Sequence, residues 1–212
     1  MGNAGGYVDD PDDAGGETYR DISRVYNPLW IGWKVIDQLK LPGSPNIPKN
    51  FVSDGLDKMA YAFYKDKYWN PLDLDNVRNQ DVANIIFDET LDGLGRCLQM
   101  VKLALSELNG KQYPANQVPT TDLNAADQQR FFECFKNIRA AHFKYAAGDL
   151  SSGDKYYSFF KKFGGAAKNG SKFEKGWLNR VNRYVWNGIK SNPGAVAGGG
   201  AMIVLIGLGL FF

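Results

Sequence analysis

The sequence predicts a mainly α-helical chain with a C-terminal transmembrane helix, and three observations support this fold class. No run of the 212 residues alternates polar and apolar side chains over a whole strand, as a half-buried strand would. Several runs instead repeat apolar residues every three or four positions, which is the period of one helix face. Residues 194–212 contain no charged or polar side chain, and about 17 to 20 apolar residues are enough to span a membrane.

The predicted helices begin after an opening loop of residues 1–28. The first helix covers residues 29–41, where Trp30, Trp33, Ile36 and Leu39 recur every three positions. Prolines then interrupt the chain before a second helix, for which Asn50 or Ser53 can serve as N-cap. Gly110 and Gly148 are expected to end two of the later helices. The remaining helices are predicted at about 79–92, 94–108, 125–147, 154–163 and 172–189.

Composition and charge exclude some function classes. The chain has 25 basic and 23 acidic residues, for a formal net charge of +2, and this balance predicts no nucleic-acid partner. Residues 155–190 are locally basic, which fits either solvated helix faces or an anionic surface partner. His142 is the one histidine and the two cysteines lie in apolar runs. We therefore predict no metal site and no cofactor.

The opening loop, MGNAGGYVDDPDDAGGETYRDIS, is the best candidate for a site because glycines and carboxylates crowd together in it. Paired glycines permit positive φ and close approach to the backbone. Three interpretations stay open at this point. One is a calcium loop, although the EF-hand spacing is absent. The second is a solvated acidic turn, and the third is a carbohydrate site in which Asp side chains act beside stacking aromatic residues such as Tyr7 and Tyr19.

The loop resembles the opening motif of glycoside hydrolase family 108, a family of lysozyme-like muramidases of bacteria and their phages. The family pattern reads roughly N-E-G-G-Y-V-x-D-P-x-D-x-G-G-E-T-x-x-G-I, and this chain has NAGGYVDDPDDAGGETYRDI. Two later stretches, FYKDKYWNPLDLDNVRNQDVANIIFDETLDGLGRCLQMVKLAL and FEKGWLNRVNRY, resemble the helical peptidoglycan-binding segment that usually follows the catalytic one. The resemblance therefore implies a lysozyme-like helical domain and a peptidoglycan glycan strand as the partner.

The resemblance also implies roles for individual residues. The catalytic Glu of the family falls on Ala4, and Asp10, Asp13 and Thr18 fall on positions that shape the cleft or assist. A methyl group cannot protonate a leaving oxygen, so a chain with Ala4 should be severely impaired. Deliberate inactivation and natural loss of catalysis both fit this residue. The implied substrate-binding positions are Gly5, Gly6, Tyr7, Gly15, Gly16 and Tyr19.

A second departure from the family pattern lies at Asp21, where the family has Gly. If that position requires a positive φ or lies against the sugar, an Asp introduces strain or blocks access. Together with Ala4, it makes the enzymatic interpretation open to question. The alternative is a non-catalytic protein that binds peptidoglycan or serves as a structural part of an envelope or virion.

The expected organisation has three parts. Residues 1–78 form a muramidase-like catalytic segment, residues 79–190 a peptidoglycan-binding-type helical segment in the same globule, and residues 194–212 a membrane anchor. The expected localisation is a bacterial envelope or phage virion, anchored in a membrane through residues 194–212. Neither the oligomeric state nor the stereochemical outcome of cleavage can be read from the sequence.

Overall fold

A computed structural model describes residues 6–10, 16–40, 46–115, 117–165 and 170–189. The chain divides into two compact units, the first ending at Lys67 and the second beginning at Tyr68. Both units are dominated by helices, so the prediction of a mainly α-helical fold is confirmed. Each unit has a core of its own and is taken in turn.

The first unit opens with a small antiparallel sheet. Its strands are β1 (Tyr7–Val8), β2 (Thr18–Tyr19) and β3 (Ile22–Ser23), hydrogen-bonded in that order. The sequence pattern did not indicate these strands, because two residues are too few to show a period. Helices α1 (Gly32–Leu39) and α2 (Asp54–Tyr64) complete the unit, and a π-helical segment, Lys65–Trp69, follows α2.

Aromatic rings build the core of the first unit. Tyr19 stacks on Trp30 with 5.9 Å between ring centroids, and Trp30 meets the edge of Trp33 at 5.0 Å. Ile36, one helical turn beyond Trp33, and Leu56 of α2 are also buried. The three-residue spacing in the sequence therefore identified the buried face of α1 correctly, but Leu39 at its end is exposed.

The described residues of the second unit form helices joined by turns and loops. After two short 3-10 turns, its helices are α3 (Gln80–Thr90), α4 (Leu94–Asn109), α5 (Thr120–Ala125), α6 (Gln128–Ala147), α7 (Tyr157–Phe160) and α8 (Gly170–Asn182). Helix α6 contacts α3, α4 and α8. Its residues Phe131, Phe132, Phe135 and Ile138 are fully buried, so α6 is the centre of this core.

Local signals explain where several of these helices begin and end. The side chains of Asn79 and Asp127 accept hydrogen bonds from the backbone N–H groups of Val82 and Arg130, which caps α3 and α6. Gly110 and Gly148 adopt φ values of 73° and 84° at the ends of α4 and α6, as the sequence predicts.

Helix α8 is shorter than predicted. It ends at Asn182, and the chain continues without helix through Ile189. The reason lies in α3: the Asp81 carboxylate accepts hydrogen bonds from the backbone N–H groups of Asn187 (2.9 Å) and Ile189 (3.2 Å). The backbone N–H of Gln80 in turn donates to the Ile189 carbonyl at 2.8 Å. Segment 184–189 is thus clamped to the N-terminus of α3.

The predicted transmembrane helix and membrane-anchored localisation need correction. In the described part of the chain, no helix is both long enough and apolar enough to cross a membrane. The longest, α6, has 20 residues but carries charged side chains along its length, including Arg130, Glu133, Lys136, Arg139 and Lys144. Residues 194–212, on which the prediction was based, lie outside the described residues. The fold class that the described residues support is therefore mainly helical, and they give no support for a transmembrane helix.

Candidate active site

The candidate site lies on the three-stranded sheet of the first unit. Tyr7 pairs with Tyr19, Val8 with Thr18, and Tyr19 with Ile22. Arg20 and Asp21 make the two-residue turn between β2 and β3, with φ values of 48° and 61°. Positive φ at both central residues is typical of a type I′ hairpin turn, whose twist matches that of the flanking strands. The sheet thus brings together Gly6, Tyr7, Thr18 and Tyr19; Asp10 and Gly16 lie on the segments adjoining it.

Four of the sequence-predicted site residues, Ala4, Gly5, Asp13 and Gly15, lie outside the described residues. Their predicted roles are therefore kept as proposals. The six that are described, Gly6, Tyr7, Asp10, Gly16, Thr18 and Tyr19, can be placed individually.

Glycine is required at Gly6 and at Gly16 for different reasons. A Cβ atom at Gly6 would lie 2.3 Å from the backbone carbonyl carbon of Asn50. This close approach lets the backbone N–H groups of Tyr7 and Asn50 donate to the carbonyls of Phe51 (2.9 Å) and Tyr7 (2.8 Å). Gly16 has a φ of 63°, a conformation that glycine adopts without strain. The close approach that glycine permits at Gly6 is therefore made by the backbone of Asn50, a residue of the same chain.

Glu17 is the centre of the polar network at this sheet. Its side chain is only 8% exposed, and its two carboxylate oxygens contact Lys40 Nζ at 2.5 Å and Arg24 Nη1 at 2.6 Å. Arg24 also contacts Asp37 Oδ2 at 2.6 Å. Two cations compensate the charge of this carboxylate, which would otherwise be costly to bury. Glu17 therefore links the start of β2 to the C-terminal end of α1, directly through Lys40 and indirectly through Arg24 and Asp37.

Tyr7 and Lys40 extend the network on the side of β1. Lys40 Nζ lies 5.2 Å from the centroid of the Tyr7 ring, and the Tyr7 hydroxyl donates to Asp9 Oδ2 at 3.3 Å. Burial, together with the nearby Glu17 carboxylate, raises the pKa of Tyr7 to about 12, although Lys40 works in the opposite direction. Tyr7 is therefore a neutral hydrogen-bond donor at any pH near neutrality.

Tyr19 lies in the core. It is fully buried, and its hydroxyl donates to Asp57 Oδ1 at 2.6 Å. Arg20 donates two hydrogen bonds to the same carboxylate, from Nε to Oδ1 at 2.9 Å and from Nη2 to Oδ2 at 2.7 Å. The Tyr64 hydroxyl donates to the Arg20 carbonyl at 2.7 Å. These contacts fix the hairpin turn against α2.

Asp21 is the other residue of this turn. Burial raises the pKa of its carboxyl group from 3.8 to about 6, and the charge of Arg20 only partly opposes the shift. The side chain is thus a partly buried carboxyl at a backbone position with positive φ. Both features are costly for an aspartate.

Comparison with known protein families identifies this region. The glycosyl hydrolase 108 family model matches residues 1–92. Residues 1–92 are therefore similar to the glycosyl hydrolase 108 family. The match covers the described residues of the first unit and continues through α3 of the second; the rest of the chain is not covered. No curated protein and no solved structure matches the chain.

The family match gives the Asp21 geometry a meaning. In the glycosyl hydrolase 108 pattern quoted above, this position is Gly, and here it has a φ of 61°. The positive φ considered from the sequence is therefore present in the backbone of this turn. An aspartate tolerates this conformation better than most residues, so the hairpin forms with Asp21 in place.

Sequence reasoning missed Glu17 as a site residue. It belongs to the G-G-E-T part of the family motif, next to Gly16 and Thr18, but its partners Arg24 and Lys40 are distant in sequence. The structure shows why Glu17 matters: Glu17 and Tyr19 are buried and Thr18 between them is half-buried, an alternation too short to be read from the sequence. An acid that shares a strand face with a core tyrosine needs cationic partners.

Proposed function

We propose that this chain is a peptidoglycan-targeting member of the glycosyl hydrolase 108 family, built to cleave the glycosidic bond between N-acetylmuramic acid and N-acetylglucosamine. Ala4 occupies the general-acid position of the family motif, so the proposed activity is severely impaired in the chain as written. The supporting observation is the family match over residues 1–92, which contains the complete opening motif. The predicted association with phages has no other support and stays a prediction.

The remaining roles follow the same motif. Asp10, Asp13 and Thr18 are proposed to shape the cleft or orient water, and Gly5, Gly6, Tyr7, Gly15, Gly16 and Tyr19 to form its walls. Residues 1–78 would be the catalytic segment, and residues 79–190 a peptidoglycan-binding segment. The polar network around Glu17 supports this proposal, because its ion pairs with Arg24 and Lys40 order the backbone of the motif.

Restoring the acid tests the proposal. Ala4→Glu should release reducing ends from purified peptidoglycan at least about 100-fold faster than the chain as written, because general acid catalysis contributes about 100- to 10,000-fold. Ala4→Gln is the matched control: it has nearly the same size as Ala4→Glu but no proton to donate, and it should stay as slow as the unaltered chain.

The second candidate function is non-catalytic binding of peptidoglycan, which the departures at Ala4 and Asp21 favour. It predicts that the chain pellets with purified sacculi and that Ala4→Glu has no activity. That outcome would refute the enzymatic proposal. Loss of both pelleting and activity would refute the two proposals together.

A further inference from the structure

The second unit contains a cavity of about 270 Å³. Its walls come from the end of α3 and start of α4, from α6, and from α7 and α8 with the turn after α7. The lining is unusually aromatic, with a few polar groups among the rings; the residues used below are Asp92, Arg96, His142, Phe143, Phe160, Phe163 and Trp177. Small-molecule sites typically combine apolar walls with a few placed polar groups.

The aromatic walls form one continuous stack. The His142 ring lies between Phe143 and Phe160, with centroid distances of 5.1 and 5.4 Å and interplanar angles of 30° on both sides. Phe143 also stacks on Trp177 at 5.6 Å. The faces of His142 and Phe143 are thus covered by neighbouring rings, and the exposed Phe163 and half-buried Trp177 provide the apolar surface that a ligand can reach.

The polar group in this cavity that indicates a ligand is the imidazole of His142. The residue is 7% exposed, and its Nδ1 lies 2.9 Å from Glu89 Oε1. Burial raises the pKa of Glu89, but His142 and the charge of Arg139 outweigh this and hold it below its ordinary value. Glu89 is therefore ionised, and its close contact with Nδ1 orients the imidazole ring. Nε2, on the other side of the ring, has no partner among the described residues.

The remaining polar residues narrow the ligand class. Arg96 Nη2 donates to the Asp92 carbonyl, and the Asp92 carboxylate lies 3.3 Å from Arg180 Nη1. An acid and a base in one wall disfavour a ligand with net charge, because either charge would face a like one. A purely aliphatic ligand would displace water from Asp92, Arg96 and His142 without replacing the hydrogen bonds that the water makes, which costs free energy. A neutral ring with hydroxyl or amide groups satisfies both requirements.

We propose that this cavity binds a single sugar residue, whose apolar C–H face packs on the aromatic walls while a hydroxyl or amide N–H donates to His142 Nε2. The proposal rests on the proposed glycan-binding role of the second segment and specifies where in it a sugar is held. A cavity of about 270 Å³ fits one ring and not an extended strand. Glu89 is a positioning residue here, acting through His142.

The test is a titration of the full chain with N-acetylglucosamine and with glucose. Binding is followed by Trp fluorescence, since Trp177 lines the cavity, and by saturation-transfer NMR on the sugar. A ligand of this size should bind with a Kd of about 1 mM. The absence of saturable binding by both sugars, or saturable binding of benzoate or tetramethylammonium in their place, would overturn the proposal.

Two exposed phenylalanines provide a matched pair of variants. Phe163 is 43% exposed and lines the cavity, whereas Phe173 is 50% exposed and does not. Phe163→Ala should raise the Kd roughly tenfold, because it removes one apolar wall. Phe173→Ala should weaken binding less than Phe163→Ala, because Phe173 reaches the cavity only through its contact with Trp177, and equal weakening by both variants would contradict the site assignment.

His142→Phe tests the polar contact separately, because it keeps the ring stack and removes Nε2. It should lose binding while a thermal unfolding scan still shows a cooperative transition; unaltered binding would exclude His142 as the anchor. If this variant does not fold, the Phe163 and Phe173 pair decides the question. Sugar binding and the cleavage gained by Ala4→Glu are read independently, so either proposal can fail without the other.

Discussion

The two units both bury a carboxylate beside cations, but they do so at different depths. In the first unit, the cations around Glu17 remain in contact with water: the Arg24 and Lys40 side chains are 32% and 36% exposed. In the second, Arg139 is fully buried between Asp88 and Glu89, whose side chains are 3% and 0% exposed. This difference indicates that the burial of the charged groups, and not the number of ion pairs, determines how much each network contributes to the free energy of unfolding.

The largest expected effect comes from Arg139→Met. It leaves Glu89 and Asp88 buried with fewer compensating charges, which costs about 3–5 kcal/mol. The matched variant Arg24→Met breaks the half-exposed network and should cost at most about 1 kcal/mol, because water replaces the lost partner. Urea unfolding of both variants measures the difference, and equal losses would contradict the comparison.

The first unit is instead most sensitive to its backbone packing, which Gly6→Ala tests. The added Cβ would lie 2.3 Å from the Asn50 carbonyl carbon, so the two backbones must separate and lose their hydrogen bonds, at about 2–3 kcal/mol. Gly55→Ala in α2 is the control, since its nearest neighbour would be Ser53 Oγ at 3.8 Å. Urea unfolding of the first unit should show a loss for Gly6→Ala and a small gain for Gly55→Ala; similar values for the two would refute the packing role of Gly6.

The smallest effect depends on pH and concerns Asp21. Its pKa of about 6 lies above the ordinary 3.8, so the folded chain holds more protons than the unfolded chain in this window, and stability falls as pH rises through it. Asp21→Asn removes the carboxyl and should gain about 2 kcal/mol at pH 7 but almost nothing below pH ~4.

Asp21→Gly separates the charge from the backbone. It removes the same carboxyl, so its stability difference from the unaltered chain should follow the same pH dependence as that of Asp21→Asn. Any constant offset between the two variants measures the backbone contribution at a φ of 61°. The measurement is the unfolding midpoint of the unaltered chain and of both variants at several pH values between 4 and 7. If the midpoints of all three proteins changed with pH in the same way, the interpretation of Asp21 as a buried carboxyl would be wrong.

Local signals predicted much of the helical fold. Helix α4 was expected at 94–108 and spans Leu94–Asn109. Its end could be predicted because glycine favours the left-handed backbone conformation that ends a helix. Helix α5 and the three strands were missed, since six or two residues carry no readable period. Helix α8 was expected to reach residue 189 and stops at Asn182, because Asp81, far away in sequence, captures the backbone that follows.

The candidate site was less readable for the same reason. Motif similarity identified the glycines and Tyr7, but Glu17 becomes significant only through Arg24 and Lys40, which folding brings to it. His142 is buried on α6, and from the sequence it served only as evidence against a metal site. What sequence could not indicate is the unpartnered Nε2 beside a cavity, because the walls come from helices far apart in the chain.

The hydrogen bonds between α3 and segment 184–189 have a consequence for how the chain folds during its synthesis. The family match ends at residue 92, yet the acids of α3 find their partners much later in the chain: Asp88 and Glu89 contact Arg139, and Asp81 contacts Asn187 and Ile189. On the ribosome, the acids of α3 therefore lack these partners until roughly fifty to a hundred further residues have been made. The part of the chain that carries the family motif and the part that completes α3 are thus made well apart in time.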